Sequence, residues 1–540
     1  MTGVKVTPGN GPEVSFATDG TEYVQRVLLT AEGDDGSIRN IASTAEGHLE
    51  VALHAPRLPF GSIHTESLVA EFQSDAVYGV TSGKETLTTS GVGTSTASGG
   101  MFVVSTGGGV GSFGTLQSKS RLRYRPGQGV VARFTALFNT GTASSLQGAG
   151  IGTAESGIYF GYNGTSFGIL HVTAGVREIR TLTVTTKSST TADITITLNG
   201  TPTTVTGITN GANTQQTAYE ISLGTFPGWS AEARGSTVVF VAASAGAKSS
   251  GAYTLAQTGG TPAVGSFAQT LAGSNSTDTW VPQADWNGDK LNGTGASGVT
   301  IDPTKGNVYQ IDIQYLGFGS VALKVEVTPP GGNNSDFVTV HTLLFPNART
   351  TPTFSNPSFP FTMFAYSTGT ASDVQVRCAS YAGFVEGQKI LTGPRFTYAA
   401  TSTLVTAAAY RALTTVKNSL IYGGRPNQSV VNLVSISGAI KHTNPVTLFL
   451  IRDAALVGAP NFVTHSSSSC TFTDVAATTC SFSDNAQVIY AATLGDTGNF
   501  LFAFTDPILL QPGEMVTLAA LSASGSPSFV SMSLNTREDH

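Results

Sequence analysis

Charge is what this chain has least of. Only 11% of its 540 residues are Asp, Glu, Lys or Arg, and together they leave a net charge of −6. That balance lacks the broad basic footprint that holds a phosphate backbone, so nucleic acid is not an expected partner. Low charge beside 40% hydrophobic residues also excludes disorder, which needs many charges and few apolar side chains. Cysteine is scarce too. Three residues, Cys378, Cys470 and Cys480, cannot staple a chain of this length, so the fold must rest on hydrophobic cores. Cys470 and Cys480 flank TFTDVAATT and form the candidate disulfide, facing each other across a hairpin; Cys378 reads as a small buried apolar residue. No apolar run approaches the roughly 18 residues of a membrane span, so no membrane insertion is expected. The opening MTGVKVTPGNGPEV has no apolar signal region, which points to a protein made in the cytoplasm without a signal peptide.

What the chain has instead is turn chemistry and β-formers. Its 63 glycines and 29 phenylalanines sit among Thr, Val, Tyr and Asn in short alternating runs, the pattern of stacked antiparallel strands. The stretch from Leu122 to His171 is the most distinctive. LRYRPGQGVVARFTALFNTG alternates polar and apolar residues and turns a corner at Arg125-Pro126-Gly127. SGIYFGYNGTSFGILH then gives two aromatic strands, Ile158–Tyr162 and Ser166–His171, joined through Asn163-Gly164, a pair suited to a type I′ turn.

In order, residues 1–65 form an N-terminal β arm of short strands ending in HAPRLPFGSIH, whose prolines force an extended path. Residues 66–391 form a central β-sandwich, in which Val176–Thr185 continues the sheet. Residues 182–272 interrupt it as a small α+β insertion, ββαββ in outline. It contains a hairpin turning at Asn199-Gly200 and a helix over Asn213–Leu223, capped by Asn213 with Ala218 and Ile221 on its apolar face. The sandwich resumes near Thr279, and Ile311, Ile313 and Tyr315 alternate against Val321, Leu323 and Val325. Residues 396–540 form a second sandwich; PILLQPGE before Val516 reads as a jelly-roll corner. The expected fold is mainly β: tandem antiparallel, jelly-roll-like β-sandwich domains with one small α+β insertion.

Motifs for chemistry are few. The eight histidines are scattered singly, with no metal-binding pair, and no phosphate-binding Gly-rich loop occurs. Gly164-Thr-Ser166-Phe-Gly168 matches a nucleophile elbow in letters but starts inside a hairpin turn. Asp285-Trp-Asn287-Gly-Asp289 spaces oxygen ligands as calcium loops do, yet the Gly is displaced and the twelfth position is Ala296. Glu155, Asp285, Asp289 and Asp302 fall in the central block and are the candidates for a glycosidase carboxylate pair, although isolated acids in loops first read as turn caps. Trp229, Trp280, Trp286, Tyr159, Tyr162 and Phe167 are either sandwich core or a sugar-stacking platform. The alternation Lys119, Arg121, Arg123, Arg125 reads as one solvated strand face. If subunits associate, Arg123 and Arg125 are the candidate interface residues. No cofactor is implied.

RLRYRPGQGVVARFTALF, ESGIYFGYNGTSFGILH, DPTKGNVYQIDIQYLGFG and the closing SLNTRED resemble a family of virion structural proteins of tailed bacteriophages, with relatives in large DNA viruses. The resemblance runs from about His48 to Asp539. It implies a fibre, spike or tail-associated protein located in the virion, held by its N-terminal region against portal, adaptor, tail or capsid proteins. It also implies contact with host surface glycans and no catalytic residues, so the chain is not expected to be an enzyme. A homotrimer is the natural assembly, because closed symmetry buries sheet edges. A capsid decoration or collar protein is the first alternative. A tailspike polysaccharide depolymerase is the second, disfavoured because no rung-like β-helix period is visible.

Overall fold

The computed structural model describes residues 68–540, apart from positions 154, 315, 355–356, 388–392, 406, 408, 442–443, 483–485, 496, 524–527 and 540, together with four short strands nearer the start. The chain divides into two compact units, Met1–Thr65 and Glu66–His540. In the first, Phe16–Thr18 pairs with Tyr23–Gln25 and Thr30–Glu32 with Ile38–Asn40. Val4–Val6, His48–Leu53 and the HAPRLPFGSIH segment lie outside the described residues, as does Tyr315.

The second unit is mainly β, as the composition implies. Its central part is a sandwich of two antiparallel sheets. One runs Thr277–Pro282, Ser166–Thr173, Gly157–Asn163, Ser145–Gly152, Ser358–Ser367, Phe113–Arg123, Glu85–Ser90. The other is built on Val130–Phe138, which pairs with Asn307–Ile313 on one edge and with Gln375–Cys378 and Ser380–Glu386 on the other. Arg125-Pro126-Gly127-Gln128 carries the chain between the two sheets. The Gln128 amide donates to the Arg125 carbonyl at 3.0 Å and Gly127 has φ +90°, a type II turn with proline and glycine where each fits. Between the sheets lie Phe134, Phe160, Tyr309 and Phe361, nearly sealed from solvent. Phe160 and Tyr309 approach at 4.7 Å and Phe134 and Phe361 at 5.5 Å. Each such ring stabilises the fold by roughly 1.5–3 kcal/mol through burial.

Two hairpins separate the turn chemistries. Asn199 (φ +50°) and Gly200 (φ +83°) form a two-residue loop between Leu198 and Thr201, which pair directly, as a type I′ turn requires. In the aromatic hairpin the loop sits one residue later than the sequence suggests. Asn163 pairs with Ser166, Gly164 alone takes positive φ, +58°, and Thr165 completes a II′-like turn. The register is set by Ile158, Phe160 and Tyr162, which must face the core, and the turn adapts to it.

The insertion spans Arg177–Leu271 and is richer in strands than ββαββ. Trp229–Arg234, Thr237–Ala245, Arg177–Thr186 and Val264–Leu271 form one sheet, and Thr201–Ile208, Ala192–Leu198 and Thr254–Gln257 another. The strand at Arg177–Thr186 therefore belongs to the insertion and does not continue the large sheet. The helix runs Thr214–Ser222; the Asn213 side chain accepts the Gln216 amide at 3.0 Å, and Ala218 and Ile221 are buried.

The C-terminal part has eight long strands among its described residues. The first, eighth, third and sixth (Arg395–Val405, Ser528–Asp539, Val430–Lys441, Thr497–Leu510) form one sheet. The second, seventh, fourth and fifth (Tyr410–Asn418, Met515–Ser522, Val446–Arg452, Gln487–Leu494) form the other. That order is a jelly roll. Gln511-Pro512-Gly513-Glu514 turns between the sixth and seventh strands, with the Glu514 amide donating to the Gln511 carbonyl at 3.0 Å and Gly513 at φ +93°.

Candidate functional site

The residues singled out from the sequence do not converge. Glu155 forms an ion pair with Arg177 at 3.1 Å. Asp285 is exposed at the end of a single 3₁₀ turn. Asp289 accepts the amides of Leu291 (2.9 Å) and Ser297 (2.7 Å), and these bonds hold its carboxyl below the ordinary range although burial opposes them. Asp302 accepts the Thr304 amide and pairs with Lys305 at 3.3 Å. Each acid organises its own loop. Among the described residues, no three His, Cys, Asp or Glu side chains are placed to hold a metal ion.

The cysteine pairing is corrected. Cys378, Cys470 and Cys480 are free and buried. Thr471–Asp474 and Ala477–Ser481 do not pair with each other but lie along opposite ends of Tyr410–Asn418. Cys480 is opposite Tyr410, while the Cys470 carbonyl accepts the Ser419 amide at 3.0 Å. Nine residues of strand put them roughly 25–30 Å apart, far beyond the roughly 7 Å limit on Cα separation in a disulfide. Burial raises all three thiol pKa values, that of Cys480 to about 11.

The aromatic candidates divide between the two faces of one sheet. Tyr162, Phe167 and Trp286 are core, whereas Tyr159 joins Leu170, Val172 and Phe364 on the outer face, with Trp280 and Tyr366 against them. Gly148, Gly161 and Gly168 stand side by side on three neighbouring strands, next to Phe364. A Cβ at Gly148 would lie 2.4 Å from the Phe364 ring, so the glycine leaves the floor on which that ring rests. This patch fills itself. Trp229 lies apart in the insertion, edge-on to Tyr253.

The same outer face carries Lys119, Arg121 and Arg123, and it is not solvated. Arg123 is 3.4 Å from the Asp539 carboxylate and also donates to the Asp539 carbonyl. Arg125, following in the corner, bridges Glu71 at 2.6 Å and Asp539 at 3.2 Å. The interface these two arginines occupy is internal, between the central sandwich and the last strand of the jelly roll. Beside it the sandwich, the insertion and the jelly roll enclose a polar cleft of about 290 Å³, with Arg121 and Arg177 on one wall and the Gln511–Glu514 turn on another.

No protein-family model matches the chain, and no curated protein matches it. Among solved structures there is a likeness to a GH43 glycoside hydrolase, engineered at its active site to display both endo-xylanase and exo-arabinofuranosidase activity. The identity is 10%, the TM-score 0.23, and the match covers 67% of this chain and 49% of that one. The chain thus spans about half the length of that protein. That similar structure is an enzyme, and this finding stands against the expectation that the chain is not one. At this TM-score the likeness carries neither a fold argument nor a catalytic residue.

Sequence reasoning passed over Arg121, Arg177 and Gln511. Alternation along Lys119–Arg125 does assign Arg121 to the basic face. What covers that face comes from segments roughly 50 and 390 residues further along the chain, and no local pattern announces such an encounter.

Proposed function

We propose that the protein is a structural component of a tailed-bacteriophage particle, of fibre, spike or tail-associated type. It contacts neighbouring virion proteins through Met1–Thr65 and the host surface, including its glycans, through Glu66–His540. The observation that supports this most is the division of labour in the chain: a separate N-terminal unit, and a large body in which the Arg125–Asp539 ion pair ties the sandwich to the jelly roll and Glu232, bonded to Ser419 and Leu420, ties the insertion to it. The family resemblance of the four sequence strings points the same way.

Three-fold self-association belongs to this reading, and the two outer faces of the jelly roll support it. One is covered by the insertion, where Tyr219 and Ala233 pack with Ala412, Ile451, Phe462 and Ala519. On the other face Leu501 and Phe529 are 75% and 53% exposed, apolar surface that a contact between copies would cover. The test is the light-scattering mass of the purified chain together with labelled-antibody electron microscopy of particles. A trimer located at the tail supports the proposal; label on the shell or collar moves it to the decoration alternative; a monomer absent from particles ends it.

A further inference from the structure

The cleft between the three modules holds a charge imbalance that the chain does not resolve. Arg121 and Arg177 both line it, and the carboxylate beside them is Glu155, paired with Arg177 at 3.1 Å. Lys119 is offset by Glu514 at 3.7 Å. Glu514 is itself shared with Arg452, also at 3.7 Å, and with the Gln511 amide at 2.8 Å. Four cations thus share two carboxylates, and Arg121 is the one that forms an ion pair with neither. The Nη1 of Arg121 is shielded from solvent without a hydrogen-bond partner. Desolvation, with the like charge of Arg177 next in size, lowers its pKa to about 10, so it remains charged at neutral pH. The nearby Glu155 carboxylate offsets part of this, but a buried guanidinium N–H with no acceptor remains costly.

A second unpaired group lies in the same cleft. Gln511 lines it, and its side-chain Oε1 is buried without a donor. The two deficits are complementary to one ligand: a guanidinium fork asks for an oxyanion, and an amide oxygen asks for an O–H. The surplus around the cleft is positive, which calls for an anion, and a planar carboxylate matches the fork. The cleft volume, about 290 Å³, lies at the small end of ligand sites and suits one sugar ring rather than an oligomer.

We propose that this cleft binds a hydroxy-carboxylate of monosaccharide size, a uronate-type sugar acid. Its carboxylate sits on Arg121, with Arg177 behind, and a ring hydroxyl donates to Gln511. Ser230, exposed on an edge strand of the insertion, and Thr86 line the remaining space. The site does not depend on where the protein sits in a particle, because binding is read on the purified chain alone.

The experiment is calorimetric titration of the full chain with D-glucuronate, against D-glucose, acetate and inorganic phosphate. Glucuronate is expected to bind, more weakly as salt is added, and at least about tenfold more tightly than glucose or acetate, each of which satisfies one deficit only. Arg121→Gln should weaken binding roughly thirtyfold or more while leaving the ligand-free melting midpoint unchanged or higher, since it removes an unpaired charge. Ser230→Trp should fill the cleft and abolish binding without touching a buried bond. The proposal is overturned if glucuronate gives no heat, if phosphate binds as tightly, if Ser230→Trp binds normally, or if Arg121→Gln mainly lowers the midpoint, as a purely structural arginine would.

Discussion

Glu232 and Ser419, 187 residues apart in sequence, meet at 2.9 Å, with the buried carboxylate accepting the serine hydroxyl. The same carboxylate accepts the Leu420 amide at 2.8 Å and pairs with Arg234 at 2.8 Å. Glu232 belongs to the insertion and Ser419 to the jelly roll, so this side chain latches two modules, beside Arg234, which donates to the Ile421 carbonyl at 2.9 Å, and the Gly235 amide, which donates to the Phe462 carbonyl at 2.9 Å.

Glu232→Ala should therefore cost far more than its lost contacts suggest. It strands the Leu420 amide and leaves a largely buried Arg234 without its carboxylate, and removing one partner of a buried pair destabilises by about 3–5 kcal/mol. Glu232→Gln keeps the shape and one acceptor oxygen and should cost less. Denaturant midpoints separate the two. Equal losses from both substitutions would mean that the charge is what matters and the acceptor geometry is not.

Arg125 joins strands from opposite ends of the second unit through Glu71 and Asp539. Arg125→Glu places three carboxylates together, and a loss of about 2 kcal/mol or more is expected after allowing for partial solvent screening. The effect should be independent of protein concentration, because the contacts lie within one chain. A midpoint that falls only on dilution would return Arg125 to a subunit boundary.

Much of this architecture is legible from local chemistry. The Asn213 cap, the Asn199-Gly200 turn and the two Pro-Gly corners follow from residues that tolerate few other conformations. So do the strand pairs in which Ile311 faces Leu323 and Ile313 faces Val321. What local pattern misreads is pairing between distant segments. Cys470 and Cys480 look like hairpin partners because their spacing is short, yet each strand finds a better neighbour in Tyr410–Asn418. Arg121 looks solvated because its cover comes from the insertion and from the Gln511–Glu514 turn. Strand identity is a short-range property, whereas sheet order and the cleft are long-range ones.

His171 gives the fold a defined pH response. Its ring lies in the core beside Phe345 and Phe354, 5.7 and 5.9 Å away. Burial, and secondarily the charge of Arg349, lowers its pKa from 6.5 to about 4. The unfolded chain thus takes up a proton near pH 6.5 that the folded chain refuses until about pH 4. The associated stability is fully present above pH 6.5 and is lost as pH falls through that window, on the order of 3 kcal/mol in all. His171→Phe should flatten most of the slope, leaving the smaller part from His341, whose pKa burial also lowers. Asp289 and Glu178, held below the ordinary carboxylate range, add their losses only at lower pH. Melting midpoints of both proteins across pH 7 to 4 test this; parallel curves would mean that His171 is protonated in the native core.

Leu501 and Phe529 test the assembly. Both lie on the outward side of the jelly-roll sheet that the insertion leaves uncovered: Leu501 is opposite Ser437 and Phe529 opposite Lys441. Neither reaches the core, so Leu501→Asp with Phe529→Asp should leave the melting midpoint within about 0.5 kcal/mol of the parent, as surface changes do. If this face packs against other copies of the chain, two carboxylates there must be desolvated on association, a cost of several kcal/mol. Light scattering should then show the doubly substituted protein as a monomer at concentrations where the parent is a trimer. An unchanged mass would remove this face from the interface, and the sheet edges would become the surface to test next.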